Sequence, residues 1–397
     1  MIEIRTVDQL DLRNRRVFYR VDYNVPLQDG RISDATRIEE TLPTLAMMRE
    51  RDAAIIIASH LGRPKGTRNA KFSLRPVLAR LSELLSTEVV WCDEAIGEKA
   101  VAAARALGPG QVLLLENLRF YPGEEANDTG FAARLAELAD SYVNDAFGAC
   151  HRAHASIEAL PKLMGPERTA GGLLLARELQ FLQKITNVSE RPFVTLLGGA
   201  KIAGKIEPLE ALVGLADTVL IGGGMANTFL AGQGVAMGAS LVDKESLETA
   251  RRIMSQPHRA RIVLPTDVIS ADSIETPARV ETLDLSRGLS AEQRALDIGP
   301  QTIAAFAKEL HGANTIFWNG PMGVFEREQF ALGTLAMARA VAESDGISVV
   351  GGGESVEAVK ASGYADQISH ISTGGGASLE FIAGSLLPGV EVLRMAP

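Results

Sequence analysis

Short apolar segments alternate along this chain with longer stretches in which apolar residues recur every three or four positions. The short segments are rich in Val, Ile and Leu, lack polar alternation and end at turn residues: RRVFYRVD, AAIIIASH, QVLLLEN, SYVNDAF, PFVTLLGG, DTVLIGGG, RIVLPTD, NTIFWNG and ISVVGGG. This pattern is typical of strands buried on both faces of a parallel sheet. The stretches Thr36 to Arg51 and Leu74 to Leu85 have helical spacing. Strands that alternate with helices predict an α/β fold with right-handed crossovers.

The residues that end these strands differ between the two halves of the chain. In the first half they are charged or amide residues, namely Asp22 with Asn24, His60 with Arg63, Asn117 with Arg119, and Asn144 with Asp145. In the second half they are glycines, namely Gly198 and Gly199, Gly222 to Gly224, Gly320, Gly351 to Gly353, and Gly374 to Gly376. Open α/β sheets bind ligands at the carboxyl ends of their strands, so each half is predicted to have one binding edge. The first would hold an anion, and the second would let a ligand approach bare backbone.

A helix is predicted to join the two halves. Leu175, Leu179, Leu182 and Ile185 recur at helical spacing, and a polar break from Asn187 to Arg191 follows. We therefore expect two doubly wound, parallel-sheet, Rossmann-like domains joined by a linking helix. The first domain would cover residues 1–170, the helix residues 171–186, and the second domain residues 187–379.

Composition narrows the class of protein. The chain has 397 residues, 46% hydrophobic and 22% charged, which is typical of folded globular proteins. Its net charge of −9 argues against nucleic acid as the main partner. Two cysteines, Cys92 and Cys150, indicate a reducing compartment rather than a disulfide framework. The N-terminus lacks a signal-peptide pattern, and no apolar run reaches the roughly 20 residues of a membrane span. We therefore expect a cytoplasmic protein without a membrane partner.

The basic residues of the first half lie at or just past predicted strand ends: Arg20, Arg37, His60, Arg63, Arg119, His151 and Arg152. Arginine presents a planar fork that matches carboxylate and phosphate, so this set suits a small ligand with both groups. Any single one could instead be a surface ion-pair partner. Asp22 and Asn24 could accept hydrogen bonds from ligand hydroxyls, or serve turn geometry alone. Cys150 to His154 is not interpreted as a metal site, because no further Cys or His cluster completes a tetrahedral shell.

A glycine- and lysine-containing segment opens the second half. Gly199 to Ile206 matches most of the phosphate-loop pattern G-x-x-x-x-G-K-[ST], but Ile206 stands where a hydroxyl residue should hold magnesium. The spacing of Lys201 and Lys205 would put both on one helix face, where a phosphate chain could bind.

Further along, Gly222 to Gly224 could meet a ligand or only allow tight strand–helix packing. Ser372 to Ser378 places small residues at a predicted helix start, where backbone N–H groups could bind an anion. Glu326 and Glu354 lie beside glycine turns. They could hold a ribose hydroxyl or a magnesium ion, or be solvated surface residues.

Motifs along essentially the whole chain resemble those of the phosphoglycerate kinase family, in the same order. They are RVDYNVP from Arg20, SHLGRPK from Ser59, LENLRF from Leu115, NDAFG from Asn144, HRAHAS from His151, GGAK from Gly198, GGGMANTF from Gly222, DIGP from Asp297, WNGPMGVFE from Trp318 and TGGGAS from Thr373. The resemblance implies a monomer of two lobes. The N-terminal lobe would bind 3-phosphoglycerate or 1,3-bisphosphoglycerate, and the C-terminal lobe ATP or ADP with Mg²⁺. Residues 380–397 would return to complete the N-terminal lobe.

The resemblance also implies roles for individual residues. The acid substrate would be bound by Asp22, Asn24, Arg37, His60, Arg63, Arg119 and Arg152. The nucleotide would be bound by Gly198, Gly199, Lys201, Lys205, Gly222, Gly223, Asn319, Glu326, Gly351, Gly352, Gly353 and Glu354. Glu354 would be the magnesium-side ligand, although many members have Asp there and its carboxylate is one methylene longer. Gly204 also departs from the family, since many members have a polar residue between the paired lysines.

The implied reaction is reversible phosphoryl transfer between 1,3-bisphosphoglycerate and ADP, which gives 3-phosphoglycerate and ATP in glycolysis and gluconeogenesis. In the ATP-consuming direction the nucleophile is a carboxylate that is already ionised at neutral pH, so no general base is needed. Catalysis would depend on positioning and on charge neutralisation by Arg37, Lys201, Lys205 and the backbone N–H groups of Gly374, Gly375 and Gly376. Because the ligands bind to different lobes, the lobes would have to close by hinge bending.

Two other classes of protein account for fewer of these residues. A two-domain NAD-dependent dehydrogenase would need a G-x-G-x-x-G turn, and Gly222 to Asn227 lacks the last glycine. A non-catalytic sugar-phosphate-binding protein would explain the arginines but not Lys201 and Lys205.

Overall fold

Two parallel six-stranded sheets organise the chain, one in each of two compact units. The computed structural model describes residues 2–188 and 190–395. Unit 1 takes the chain as far as Gln180 together with the segment from Leu386 onward, and unit 2 is Phe181–Ser385. Met1 of the predicted first domain, Ser189 of the predicted polar break, and residues 396 and 397 of the predicted returning segment lie outside the described residues.

The sheet of unit 1 has the order β5-β6-β4-β1-β7-β8, and all of its strand pairs are parallel. The strands of this unit are β1 (Arg16–Arg20), β2 (Leu27–Gln28), β3 (Arg31–Ile32), β4 (Ala54–Ala58), β5 (Val89–Cys92), β6 (Val112–Leu115), β7 (Ser141–Asn144) and β8 (Thr169–Gly171). β2 and β3 form a separate antiparallel hairpin. Every residue of β4 and β6 is buried, as expected for strands covered on both faces.

Helices cover both faces of this sheet. They are α1 (Thr36–Glu39), α2 (Leu42–Glu50), α3 (Arg75–Leu85), α4 (Glu98–Arg105), α5 (Pro122–Glu125), α6 (Thr129–Ala136) and α7 (Leu160–Met164). The helical spacing from Thr36 to Arg51 is confirmed, and two helices occupy this stretch. Pro43 lies in the first turn of α2, and a proline there has no N–H and would clash with the carbonyl of Glu39 in a continuous helix. The helix predicted from Leu74 to Leu85 is confirmed from Arg75 onward.

The predicted linking helix is α8 (Leu173–Thr186), which contains the end of unit 1 and the beginning of unit 2. Its four predicted apolar positions, Leu175, Leu179, Leu182 and Ile185, are all buried. Asp145 holds its first turn, because its Oδ1 atom accepts a hydrogen bond from the backbone N of Leu175 at 2.8 Å. Burial raises the pKa of Asp145 to about 6.

Unit 2 contains the strands β9 (Phe193–Leu197), β10 (Thr218–Ile221), β11 (Arg261–Val263), β12 (Asp267–Ala271), β13 (Val280–Asp284), β14 (Arg294–Ile298), β15 (Thr315–Asn319), β16 (Ile347–Gly351) and β17 (His370–Ile371). Its parallel sheet has the order β11-β10-β9-β15-β16-β17, which is the Rossmann strand order. The order reverses between β9 and β15, where such sheets bind their ligands. β12, β13 and β14 form an antiparallel sheet that the sequence did not predict.

The helices of unit 2 are α9 (Ile206–Leu215), α10 (Gly223–Gly232), α11 (Leu247–Ser255), α12 (Pro300–His311), α13 (Leu332–Ala342), α14 (Gly353–Ser362) and α15 (Gly376–Ile382). None of the helices built from residues 2–188 and 190–395 combines the length and the apolar character that a bilayer crossing requires.

The last helix, α16 (Pro388–Glu391), belongs to unit 1. Its Gly389 donates a backbone hydrogen bond to the carbonyl oxygen of Cys150 at 3.0 Å. A Cβ atom on Gly389 would lie only 2.7 Å from Ile157 Cγ2, so this approach requires glycine. Ile4 and Arg394 form an antiparallel bridge, so both ends of the described chain are joined in this unit.

Candidate active site

Arg20 lies at the centre of the predicted anion site, at the carboxyl end of β1, and its side chain is fully buried. Its Nε atom donates a hydrogen bond to Ser156 Oγ at 2.8 Å, and its Nη2 atom lies 3.3 Å from His60 Nδ1. Glu124 Oε1 lies 3.9 Å from the same guanidinium. Since arginine can only donate, Nδ1 of His60 accepts, which leaves the ring proton on Nε2.

Asp22 is surrounded by basic side chains. Its Oδ2 atom lies 2.7 Å from Arg37 Nη1, and its Oδ1 atom lies 3.7 Å from His60 Nε2. Burial alone would raise the pKa of Asp22, but the positive charges of His60 in its protonated form, Arg37 and Arg20 hold it at about 2. Burial lowers the pKa of His60 well below its usual value, so the ring is neutral at pH 7. At this pH the positive field is therefore carried by the arginines.

Two further predicted residues hold the turn after β4. Asn24 Oδ1 accepts a hydrogen bond from the backbone N of Gly62 at 2.8 Å, and Arg119 Nη1 donates to the carbonyl oxygen of Gly62 at 2.9 Å. The side-chain amide oxygen of Asn24 therefore holds this turn. Burial and the nearby charge of Arg20 lower the pKa of Arg119 to about 10, where it is still a cation at neutral pH. Arg63, in the same turn, is exposed.

The segment after β7 adds three basic side chains. Arg152 is half-buried, and its Nε atom donates to His151 Nε2 at 3.1 Å. His154 is 6% exposed, and its Nδ1 atom is buried without a hydrogen-bond partner in the described part of the chain. Burial and the charges of Arg119, Arg20 and Arg152 lower the pKa of His154 to about 3. Sequence reasoning assigned no role to His154, although the motif HRAHAS contains it.

In unit 2 the glycine turns after β9 and β10 pack against the turn that follows β15. The backbone N of Gly198 donates to the carbonyl oxygen of Asn319 at 2.9 Å, and the N of Gly199 to that of Pro321 at 2.9 Å. A Cβ atom on Gly198 would lie 2.1 Å from Pro321 O. A Cβ atom on Gly222 would lie 2.4 Å from Met322 Sδ, so Gly222 serves packing. These glycines let three turns meet at the point where the strand order reverses.

A cavity of about 530 Å³ opens beside these turns. Its lining includes Gly199, Gly223, Glu326 and Glu354. It also includes apolar residues, namely Leu241, Pro265, Val268, Ile274, Leu296 and Val324. A molecule with both charged groups and a flat apolar part would suit this lining. The apolar part was missed by sequence reasoning, since its residues come from separate elements.

The prediction that Lys201 and Lys205 share a helix face is wrong. Residues 201–205 form a turn, and α9 begins only at Ile206. Gly204 has a φ of +80°, a left-handed conformation that interrupts a helix. Lys201 is exposed, whereas Lys205 Nζ donates to the carbonyl oxygen of Gly198 at 3.0 Å. Burial lowers the pKa of Lys205, and the charge of Glu354 opposes this shift.

The other predicted nucleotide residues lie on the β16 side of the sheet. Asn319 is buried, and its Nδ2 atom donates to the carbonyl oxygen of Gly351 at 2.9 Å. Gly352 has a φ of +93°, and a Cβ atom added to it would lie 2.8 Å from Asn319 Nδ2. Gly353 begins α14, and Glu354 is exposed in its first turn.

The glycine run before α15 differs from the expected row of N–H groups that could bind an anion. The backbone N of Gly374 already donates to Ser372 Oγ at 3.1 Å. Gly375 has a φ of +52°, and Gly376 is the exposed first residue of α15. None of the three is among the residues that line the cavity of unit 2.

A cluster of basic side chains beside one parallel sheet and a glycine-lined cavity beside a second are the arrangement expected of a two-domain α/β phosphotransferase. The chain belongs to the phosphoglycerate kinase family, whose model matches residues 7–385. It is therefore a kinase, and the predicted fold class, family and enzyme class are confirmed. Nothing in the comparisons favours the dehydrogenase or the non-catalytic binding protein.

Curated relatives and solved structures of this family resemble the chain over nearly its whole length. It is 50% identical over 392 residues to the phosphoglycerate kinase of Desulforudis audaxviator, covering 98% of this chain and 99% of that one. It is also 50% identical over 390 residues to the enzyme of Moorella thermoacetica, covering 98% of both. The solved phosphoglycerate kinase of Coxiella burnetii has a TM-score of 0.86 and 38% identity, covering 98% of this chain and 99% of that one.

Proposed function

We propose that this chain catalyses reversible phosphoryl transfer between 1,3-bisphosphoglycerate and ADP, giving 3-phosphoglycerate and ATP, as a step of glycolysis and gluconeogenesis. The observation that carries the proposal is the cavity of unit 2, whose wall combines Gly199, Gly223, Glu326 and Glu354 with an apolar surface. Those residues were proposed for the nucleotide from their motifs alone. The basic cluster around Asp22 in unit 1 supplies the second requirement, a site for a small acid with a phosphate group.

The acid substrate is assigned to Asp22, Asn24, Arg37, His60, Arg63, Arg119 and Arg152. Arginine forks can bind the carboxylate and the phosphate of such a ligand in a bidentate manner. The side chain of Arg37 is 34% exposed, so its guanidinium can reach a bound anion while it contacts Asp22. The neutral ring of His60 keeps a proton on Nε2, which can be donated to a ligand oxygen.

The nucleotide is assigned to Gly198, Gly199, Lys201, Lys205, Gly222, Gly223, Asn319, Glu326, Gly351, Gly352, Gly353 and Glu354. The apolar wall suits a purine ring, and Glu326 can accept hydrogen bonds from ribose hydroxyls. Lys201 is exposed and Lys205 lies beside Gly198, so both can reach phosphate oxygens near that turn. The two glycines at 198 and 222 would act through packing, since the Pro321 carbonyl oxygen lies close to Gly198 and the Met322 side chain close to Gly222.

The chemistry needs charge neutralisation rather than proton abstraction. The carboxylate of 3-phosphoglycerate is ionised at neutral pH, so it attacks the terminal phosphoryl group of ATP without a general base. Asp22 has a pKa of about 2 and pairs with Arg37, so it would not serve as a base. We assign stabilisation of the transferring group to Arg37, Lys201, Lys205 and the turn Gly374 to Gly376. Of that turn, Gly375 and Gly376 are the stronger candidates, because the N–H of Gly374 already has a partner.

We propose Mg²⁺ as the ion that accompanies the nucleotide. In the described residues no three His, Cys, Asp or Glu side chains cluster as a metal site. Mg²⁺ fits here nevertheless, because it is often bound by one or two carboxylates together with substrate phosphates. Glu354 lines the cavity and is exposed, so it would supply that carboxylate. Bound Mg²⁺ would neutralise phosphate charge.

Expectations about location, oligomeric state, partners and domain motion are part of the same proposal. We propose a cytoplasmic monomer whose substrates are small molecules, with no nucleic-acid or membrane partner. The two ligands are assigned to different units, so transfer requires bound molecules to be brought together. Hinge bending about α8 is the proposed means.

One assay tests the function. The purified chain is mixed with ATP, Mg²⁺ and 3-phosphoglycerate, and product is detected by coupling to an NADH-consuming reductase that acts on 1,3-bisphosphoglycerate. We expect NADH oxidation that depends on all three additions. NADH oxidation without ATP would favour a dehydrogenase, and binding of 3-phosphoglycerate without turnover would favour a binding protein. Either result would contradict the proposal.

A further inference from the structure

A buried carboxylate contributes to the cavity wall of unit 2, and no role has been assigned to it. Asp297 of β14 lines the cavity and is only 3% exposed. Its Oδ1 atom accepts a hydrogen bond from the backbone N of Ile298 at 2.9 Å, and its Oδ2 atom accepts one from the N of Gly333 at 2.6 Å. Burial raises the pKa of Asp297 to about 7, and its two backbone hydrogen bonds limit the rise. Both charge states are therefore populated near neutral pH.

The Asp297 carboxylate packs closely against two glycines. A Cβ atom on Gly323 would lie 2.4 Å from Asp297 Oδ1, and one on Gly333 would lie 2.3 Å from the same atom. The neighbouring Leu296 accepts a hydrogen bond from the backbone N of Val324 at 2.8 Å. The Asp297 carboxylate thus binds the first turn of α13 through the N of Gly333. It packs against Gly323 of the turn from Pro321 to Glu326, here called the 321–326 turn, while the hydrogen bond to that turn comes from the Leu296 carbonyl.

The 321–326 turn in turn contacts both glycine turns of the cavity. Its Pro321 carbonyl oxygen accepts from the N of Gly199 at 2.9 Å, and its Met322 carbonyl oxygen accepts from the N of Gly223 at 3.0 Å. Glu326 at its end lines the cavity. A displacement of this turn would therefore move several residues assigned to the nucleotide at once.

We propose that Asp297 is a positioning residue of the nucleotide site, which in its ionised form holds the 321–326 turn and the first turn of α13 in the arrangement that binds ATP or ADP. An ionised carboxylate can only accept hydrogen bonds, and each of its oxygens meets a backbone N–H. The N-terminus of α13, an 11-residue helix, favours a negative charge. Protonation turns one oxygen into a donor and weakens this support. The inference rests on the proposed nucleotide-binding function.

The charged groups around Asp297 do not neutralise it. Arg294, on the same strand, donates instead to the carbonyl oxygens of Ala239 and Asp272. Glu326 and Glu354 share the cavity wall and carry the same sign of charge. On the neighbouring strand β12, Asp267 accepts hydrogen bonds at the start of α12. The segment α10 contains no charged residue, and the basic residue of α13 lies in its last turn.

The test measures the KM for ATP from pH 6 to pH 8.5 in the wild-type chain and in Asp297→Asn. An amide cannot accept at both of its atoms, so we expect a KM for ATP about tenfold higher in the variant at pH 8. The ratio of the two KM values should approach one near pH 6, where the wild-type carboxyl is protonated. The KM for 3-phosphoglycerate should stay within about twofold, since that site is assigned to unit 1. The protonation of ATP between pH 6 and pH 8.5 affects the KM of both proteins equally, so it cancels in the ratio.

Asp267→Asn is the matched control. Asp267 is 1% exposed and accepts from the backbone N atoms of Gln301 and Thr302 at 2.9 and 2.8 Å, as a carboxylate at the start of a helix. It does not line the cavity. We expect this variant to lose stability while its KM for ATP stays near the wild-type value at every pH. The same KM ratio in both variants, or a ratio for Asp297→Asn that is independent of pH, would overturn the proposal.

One further measurement separates this inference from transfer activity, and one further variant is available if Asp297→Asn does not fold. Calorimetric titration with ADP measures the same ratio without the reaction, so the inference is judged separately from transfer activity. Should Asp297→Asn fail to fold, Gly333→Ala forces a Cβ atom against the carboxylate from the side of α13, at a position that does not line the cavity. We expect it to weaken ADP binding and leave 3-phosphoglycerate binding unchanged. Unchanged ADP affinity in Gly333→Ala would overturn the proposal.

Discussion

The Nη1 atom of Arg37 lies 2.7 Å from the Oδ2 atom of Asp22, in a site otherwise dominated by positive charge. Asp22 stays ionised because its pKa is about 2. This carboxylate keeps one arginine in place before a substrate arrives. It also means that Arg37 has two functions, to contact a bound anion and to neutralise Asp22.

We expect Arg37→Ala to lose at least about 100-fold in turnover, because one positioned cation can contribute several kcal/mol to stabilising a transferring phosphoryl group. Asp22, having lost its Arg37 partner, would also repel the acid substrate. ADP affinity, measured by calorimetry, should be unchanged. Arg13→Ala, a 79% exposed arginine of the same unit, is the control and should behave as wild type. Activity of Arg37→Ala within about threefold of wild type would contradict the assignment.

Arg119→Lys is expected to raise the dissociation constant of 3-phosphoglycerate by about tenfold, although the charge is kept. An ammonium cannot reproduce the fork of a guanidinium, and the bond to the carbonyl oxygen of Gly62 would be lost. The measurement is calorimetric titration with 3-phosphoglycerate. Arg16→Lys, which alters an arginine paired with Asp140 on the opposite end of β1, should leave this affinity unchanged. Equal affinities for Arg119→Lys and wild type would make Arg119 a structural residue.

Glu354→Asp shortens the carboxylate assigned to magnesium by one methylene. Mg²⁺ demands near-ideal octahedral geometry, so we expect the half-saturating magnesium concentration to change by at least about twofold, in either direction. Initial rates over a magnesium titration at fixed ATP provide the measurement. Glu357→Asp alters an exposed glutamate one turn later on α14 and should leave the value unchanged. Indistinguishable titrations in the two variants would separate Glu354 from the metal.

Asp145 gives a prediction about pH and stability. Its pKa is about 6 in the folded chain and near 4 when unfolded, so folding favours its protonated form. The stability that this group contributes is present in full below about pH 4 and is lost as pH rises through about 6. Asp145→Asn cannot ionise. We therefore expect the free energy of unfolding of the variant, minus that of wild type, to increase by about 2 kcal/mol from pH 4.5 to pH 7.5.

Fluorescence can follow this change in unit 1 alone. The chain has two tryptophans, and Trp91 lies on β5 in unit 1 whereas Trp318 lies on β15 in unit 2. Urea denaturation in a Trp318→Phe background would report unit 1 through Trp91. All other ionisable groups are the same in Asp145→Asn and in wild type, so their titrations cancel in the difference between the two free energies of unfolding. A difference that stays flat with pH would contradict the raised pKa.

Strands that are buried along their whole length could be predicted from the local pattern of apolar residues. Strands that are partly exposed could not, because their residues are not mainly apolar. Strands such as β4 and β9 are buried along their whole length, so their apolar runs predict them directly. β13 alternates between exposed and half-buried residues and carries charge, so VETLD has no strand-like apolar run. The break between α1 and α2 could not be located from apolar spacing, because that spacing continues through Pro43, which interrupts the backbone hydrogen bonds.

The candidate site divides in the same way. Residues at the ends of parallel strands converge, so Asp22 and His60 could be grouped from the sequence and lie together. Arg37 was grouped with them correctly, but it reaches Asp22 from α1 and not from a strand end. Lys201 and Lys205 were misplaced because the conformation of Gly204 is decided by the turn and not by residue spacing. The contact between Asp297 and Gly333 joins residues 36 positions apart, and no local pattern predicts it.

The return of the chain to unit 1 has a consequence for the order in which the protein is made. Unit 2 is continuous, from Phe181 to Ser385, whereas unit 1 needs the segment after Leu386 to receive α16 and the bridge between Ile4 and Arg394. On the ribosome, all of unit 2 is therefore synthesised before the last parts of unit 1 emerge. The half of the protein that is translated first is completed last, and until then the surface around Cys150 that receives Gly389 lacks its cover.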